Sequence, residues 1–172
     1  MSILSKTATN KYLTFLLDQE FYALSINSVQ EVLEYMPITK VPRSQDYMLG
    51  VINVRGNAIP VMDLRIKLGL GSAKQTVDTC FVIVELIIDG EQTTIGALVD
   101  RVEEVIELEK DDILPPPKMG TKIKYNFIKV LGKKDERFFF ILDKDNTFSF
   151  FETDKTKDKI LYSEDHQVAA GV

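Results

Sequence analysis

The chain has 172 residues, of which 45% are apolar and 27% charged, and it carries a net charge of −5. That size suits one domain, or two small ones sharing a core, with ordinary globular composition. The acidic balance argues against a nucleic-acid partner, the lone Cys80 excludes an intramolecular disulfide, and no apolar run reaches the ~18 uncharged residues of a membrane helix.

The first segment, MSILSKTATNKYL, has no long apolar stretch of the signal-peptide kind. The expectation is a soluble, cytoplasmic protein whose residues 1–10 form a loose polar arm. Short runs rich in β-branched and aromatic residues follow. They predict strands at Tyr12–Leu17, Glu20–Ser25, Val29–Tyr35, Gly50–Val54 and Ala58–Met62. Asp63 to Gly69 reads as a helical turn or two, with Asp63 as N-cap and Gly69 just past the end. Leu70 to Gln75 is a linker.

A second set of strands is predicted at Thr79–Ile87, Thr93–Val99, Val102–Glu107, Phe127–Leu131 and Phe138–Leu142. Cys80 falls in the apolar run TCFVIVELII and reads as a buried core thiol. Asp18-Gln19, Asp89-Gly90 and the stretch from Gly132 to Asp135 are turn signals. Pro115-Pro116-Pro117 marks an extended segment. Many short strands at close spacing predict an all-β fold of small barrels or a sandwich.

The chain also repeats itself. Phe21–Glu34 lies over Thr94–Glu107 at a shift of 73, which puts Asn27 on Asp100 and VQEVLE on VEEVIE. Further on, Ile52–Gly56 matches Ile128–Gly132 at a shift of 76, and Pro60–Asp63 matches Phe140–Asp143 at a shift of 80. Three matches in order imply two similar β units packed side by side. In this alignment Arg55 falls on Leu131, which suggests that the arginine has a task beyond its turn. Gly56 and Asn57 are expected to supply that turn's positive φ.

Catalytic ingredients are scarce. The single histidine, His166, lies in the polar tail, so no Cys/His zinc set and no nucleophile-histidine arrangement can be written. There is no phosphate-binding glycine motif. The acidic stretch 103–112 leaves an enzyme or small-ligand site as an alternative, which requires a pocket lined by Glu103, Glu104 or Asp100. Alternation puts Val102 and Glu104 on one strand face, with Glu103 and Val105 on the other. Val29, Val32 and Leu33 cannot all enter one interior, so some apolar surface stays outside, as at a partner site.

The stretch GVINVRGNAIPVMDLR resembles the signature of the CheW family of bacterial chemotaxis coupling proteins, with matches at Gly50, Val51, Asn53, Arg55, Gly56, Pro60, Asp63, Leu64 and Arg65. Val29–Val32 (VQEV), Gly96–Val105 (GALVDRVEEV), Ile113–Pro117, Phe127–Lys133 and Ile141–Asp143 match in order. Lys129 stands where the family commonly has glycine, and Phe138–Phe140 is bulkier than its usual aliphatic run. The resemblance implies two SH3-like five-stranded barrels packed side by side with a few short helices, spanning 11–150. The subdomains would be roughly 20–70 and 76–150, with an exchanged terminal strand as one arrangement, and 151–172 would be an extension in which Ile160–Tyr162 can dock as a short helix.

The same resemblance implies a non-enzymatic scaffold without cofactor or metal. It would join the cytoplasmic tips of chemoreceptors to the regulatory domain of the histidine kinase CheA, at membrane-associated arrays and without inserting into the membrane. An adaptor for another histidine-kinase pathway, such as pilus motility, is the alternative of the same class. Receptor binding would fall on Arg55, Gly50 and Gly56, with Val82 and Val84 in the receptor groove. Kinase binding would fall on Val29, Glu31 and Val32.

Overall fold

The computed structural model describes residues 10–42, 44–116 and 127–149. The arm before Asn10, Pro117, His166 and the extension 151–172 lie outside the described residues. The strands are β1 (Lys11–Leu17), β2 (Glu20–Ser25), β3 (Val29–Glu34), β4 (Met48–Val54), β5 (Asn57–Asp63), β6 (Cys80–Ile88), β7 (Glu91–Val99), β8 (Arg101–Glu107), β9 (Ile113–Leu114), β10 (Ile128–Lys134) and β11 (Arg137–Leu142). Helix α1 (Leu64–Lys67) follows β5 and helix α2 (Lys144–Thr147) follows β11. All ten expected strands are present within a few residues of their predicted ends; β9 and α2 were not expected.

The strands form two sheets, in the orders β8-β1-β2-β11-β10-β9 and β3-β6-β7-β5-β4. Both sheets draw on both halves of the chain, so they do not coincide with the divisions 20–70 and 76–150. Five strands were expected in each unit, and β9 adds a sixth to one. Among the described residues no ladder joins β3 to β4 or β8 to β9, so neither sheet closes by backbone pairing.

The repeat is real and its register is now fixed. Met48 pairs with Met62 and Gly50 with Val61 across a bulge; 80 residues on, Ile128 pairs with Leu142 and Val130 with Ile141 across the same bulge. Glu34 pairs with Cys80 and Val29 with Val84, as Glu107 pairs with Lys11 and Val102 with Phe15. The shifts of 73 and 80 are therefore structural. The match at 76 is not: the counterpart of Arg55 is Asp135, and Leu131 pairs inside the ladder with Phe140.

Among the described residues, apolar side chains make three clusters. The largest lies between the sheets, where Phe15, Leu17 and Leu24 of one meet Met62, Val82 and Val84 of the other. Ile52, Val61, Phe81 and Ile83 fill the opposite face of the five-stranded sheet. Ala23, Ile106, Leu108, Phe139 and Ile141 do the same for the six-stranded sheet. Burying each large side chain stabilises the fold by roughly 1.5–3 kcal/mol. Cys80 belongs to the shared cluster, and burial pushes its thiol upward, away from the reactive thiolate.

Candidate functional site

Among the described residues four two-residue hairpin turns have the same geometry, with both central residues at positive φ: Asp18-Gln19, Arg55-Gly56, Asp89-Gly90 and Asp135-Glu136. Such turns match the twist of the strands they join. Arg55 itself takes φ 52° and Gly56 φ 87°, so the turn is one residue earlier than the Gly56-Asn57 reading. Asn57 already belongs to β5. The side chain of Asn53 braces the turn by accepting from the Gly56 N–H at 2.9 Å.

This geometry projects Arg55 outward, with two thirds of its side chain exposed. It meets Glu31 of β3: Nη2 donates to Oε2 at 2.5 Å and Nη1 to Oε1 at 3.4 Å. The hydrogen bond to Glu31, and then its charge, push the guanidinium upward. The β4–β5 hairpin and β3 come from opposite ends of the five-stranded sheet, so the sheet curls until side chains meet where backbone pairing does not. Beside the pair runs an open groove of about 390 Å³ lined by Gln30, Val54, Ala58, Ile59 and Thr93.

The expected kinase-binding trio divides between two faces. Val29 pairs with Val84 and Val32 with Val82, while Glu31 pairs with Ile83 after the bulge. Cross-strand partners share a face, so Val29 and Val32 lie on the side of the shared core and Glu31 on the other. Val32 is nevertheless 42% exposed on this edge strand, an apolar side chain outside the interior as β3 predicted.

Three of the residues expected at the receptor face are buried. Val82 and Val84 are fully buried in the central strand β6 and present no side chain to a partner. Their apolar run is filled core, a reading sequence character alone does not separate from a groove wall. Gly50 is buried at φ 140°, and a Cβ there would lie 2.0 Å from the carbonyl oxygen of Thr39. The need for glycine here is steric, set by the close pass of the Thr39–Val51 bridge.

The acidic stretch is dispersed. Glu103 pairs with Arg101 at 3.2 Å, and Asp112 accepts from the Glu109 N–H at 2.8 Å. A bulge in β8 breaks the simple alternation: Val102 and Val105 oppose Phe15 and Leu13, so both face the same side. Buried Thr14 fills the bulge, its hydroxyl donating to the Glu104 carbonyl and accepting from the Glu104 N–H. Asp100 lines a cavity of about 270 Å³ with Tyr35, Leu49 and Arg65, which neither Glu103 nor Glu104 reaches.

Residues 11–151 match the family described as "CheW-like domain". The chain is 33% identical over 132 residues to the chemotaxis protein CheW of Helicobacter pylori, covering 77% of each chain. It is 30% identical over 138 residues to that of Klebsiella aerogenes, covering 80% of this chain and 81% of the other. Protein FrzA of Myxococcus xanthus is 30% identical over 112 residues, 60% of this chain and 68% of that one. Among solved structures, the scaffolding protein TtCheW of Thermoanaerobacter tengcongensis superposes with a TM-score of 0.72 at 35% identity, covering 82% of this chain and 93% of that one.

Proposed function

The chain belongs to the CheW family, and from that premise we propose that it is a non-enzymatic scaffold coupling chemoreceptor tips to the histidine kinase CheA. The observation that carries the reading is the Arg55–Glu31 pair. A receptor tip seated against Arg55 and Gly56, at the groove beside the pair, competes for or reorients a guanidinium held by the strand that is to meet the kinase. Glu31 and Val32 on β3 then respond to the receptor directly. An arginine suits this task because its fork holds a carboxylate while further N–H groups remain for a partner. The repeat supports it: the equivalent positions in the other unit are Glu104 and Asp135, two acids that form no such pair, so the fold itself does not require one.

Partner binding of this kind is modest per contact and strengthened by the avidity of a receptor array. Recruitment from the cytoplasm to such arrays follows from the same reading. Among the described residues no helix is long and apolar enough to cross a membrane.

Co-sedimentation of receptor cytoplasmic fragments, CheA and this protein tests the proposal. The native protein should bring all three down together, and Arg55→Ala should deplete the receptor. Absence of a ternary complex with the native protein would end this reading. The likeness to FrzA favours one second reading, an adaptor for another histidine-kinase pathway such as pilus motility; a pull-down that recovers a different kinase selects it.

A further inference from the structure

Helix α1 carries two cations that reach out of their own sheet, and the repeat has neither. Arg65, with 14% of its side chain exposed, donates from Nη2 to Asp18 Oδ1 at 3.2 Å and from Nη1 to Asp100 Oδ2 at 3.0 Å. Its Nε donates to the carbonyl of Gly71 at 3.1 Å. Asp18 is on the β1–β2 turn of the six-stranded sheet. Asp100 is the one residue between β7 and β8, where the chain crosses from one sheet to the other. The Asp100 carboxylate also accepts from the Asp18 N–H at 2.9 Å, and the Asp100 N–H donates to the Leu16 carbonyl at 3.2 Å.

Two residues further along α1, buried Lys67 donates to the carbonyl of Ser149, just past α2, at 3.0 Å. Its ammonium lies 4.1 Å from the centroid of the Tyr47 ring. One four-residue helix of the five-stranded sheet thus grips the other sheet at two separate places.

At the structural shift of 80, Arg65 and Lys67 fall on Asp145 and Thr147; at the shift of 73, Asp100 falls on Asn27. The second unit therefore folds with no cation at either helix position. Exposed ion pairs add little stability, whereas a guanidinium fork with three partners defines an orientation.

We propose that α1 is a clasp fixing the angle between the two sheets, with Arg65 as a positioning residue for coupling. The coupling half rests on the function proposed above: β3, which is to meet the kinase, belongs to the sheet whose angle the clasp sets.

The test labels Ala58 of β5 and Lys129 of β10, both exposed, with spin probes in a Cys80→Ala background and reads their separation by pulsed electron resonance. Arg65→Gln and Asp100→Asn should shift and broaden the distance distribution, and Arg65→Lys should partly restore it. Asp18→Asn, at a position more than half exposed and safe for folding, should act in the same direction but less. In unlabelled protein, Arg65→Gln should lower receptor-dependent kinase activation about fivefold or more while leaving each binary affinity within about twofold. An Arg65→Gln distribution that superimposes on the native one overturns the clasp. A broadened distribution with unchanged activation overturns the positioning role. Failure of the native protein to form a ternary complex strikes the coupling reading alone, because the distance measurement needs no partner.

Discussion

Arg55 on the β4–β5 turn and Glu31 on β3 form a two-armed ion pair, at 2.5 Å and 3.4 Å, that joins the two ends of an otherwise open sheet. It is solvated and therefore weak as a brace. Its position matters more than its strength, because it ties β3 to the β4–β5 turn while two thirds of the Arg55 side chain stays exposed.

Arg55→Ala should therefore weaken receptor capture while shifting the thermal midpoint by no more than about 2–3 °C. The substitution keeps a non-glycine residue at the same positive φ, so the backbone contribution cancels. Arg55→Glu should act more strongly by placing like charges face to face, and adding Glu31→Arg should recover part of the loss. A collapse of the midpoint in Arg55→Ala would make the arginine structural. No recovery in the double variant would separate the pair from partner binding.

Gly50 offers the opposite case. A methyl group there meets the Thr39 oxygen at 2.0 Å in a conformation open only to glycine. Gly50→Ala should cost about 3 kcal/mol or more by strain and overpacking. Gly56→Ala, with open space around it, should cost about 1 kcal/mol. Urea titrations of both variants check this; equal costs would contradict the close approach of residues 39 and 50.

Strands and turns were legible because period-two patterns and Asp-Gly or Asp-Gln pairs are local signals. The repeat was legible too, but its register was not. INVRG resembles IKVLG by letters, whereas the ladders put Arg55 over Asp135, since pairing geometry and not residue likeness sets register. Val82 and Val84 looked like groove wall because an apolar run has the same composition in a core or at an interface; only burial tells them apart. The Arg65–Asp18–Asp100 cluster could not be read at all, because its members are 47 and 35 residues from the arginine and meet only through tertiary packing. Arg65 left one hint, as the last matched residue of the signature.

Asp63 caps α1, its carboxylate accepting from the N–H groups of Arg65 at 3.0 Å and Ile66 at 3.3 Å. Asp63→Ala should cost about 1–2 kcal/mol by loss of the cap, and Asp63→Asn should restore most of it. Burial raises the Asp63 carboxyl above its ordinary value against these hydrogen bonds and Arg65. Between the unfolded value near 4 and the raised folded one, the native state holds more protons. Stability should therefore rise, relative to Asp63→Asn, as pH falls from neutral into the carboxylate range. Thermal melts of both proteins across that range read the difference, and a native curve that loses ground on acidification would refute the assigned direction.

Val32 and Val82 face each other across β3 and β6, yet one is 42% exposed and the other fully buried. Val82 touches core on all sides, so Val82→Ala removes its transfer energy and leaves a small cavity. The cost should be about 2–3 kcal/mol, a drop of roughly 5–10 °C in the midpoint for a domain of this size. Val32→Ser should leave the midpoint within about 2 °C, as at an exposed site, because its side chain already meets water on an edge strand. If β3 meets the kinase, Val32→Ser should weaken that complex, since an exposed apolar group gains most when a partner covers it. Val82→Ala, measured below its melting temperature, should bind the kinase as the native protein does. Calorimetry with the isolated regulatory domain separates the two. A Val32→Ser protein with native affinity would move the kinase contact off β3, and a Val82→Ala protein as stable as the native one would contradict the packing between the sheets.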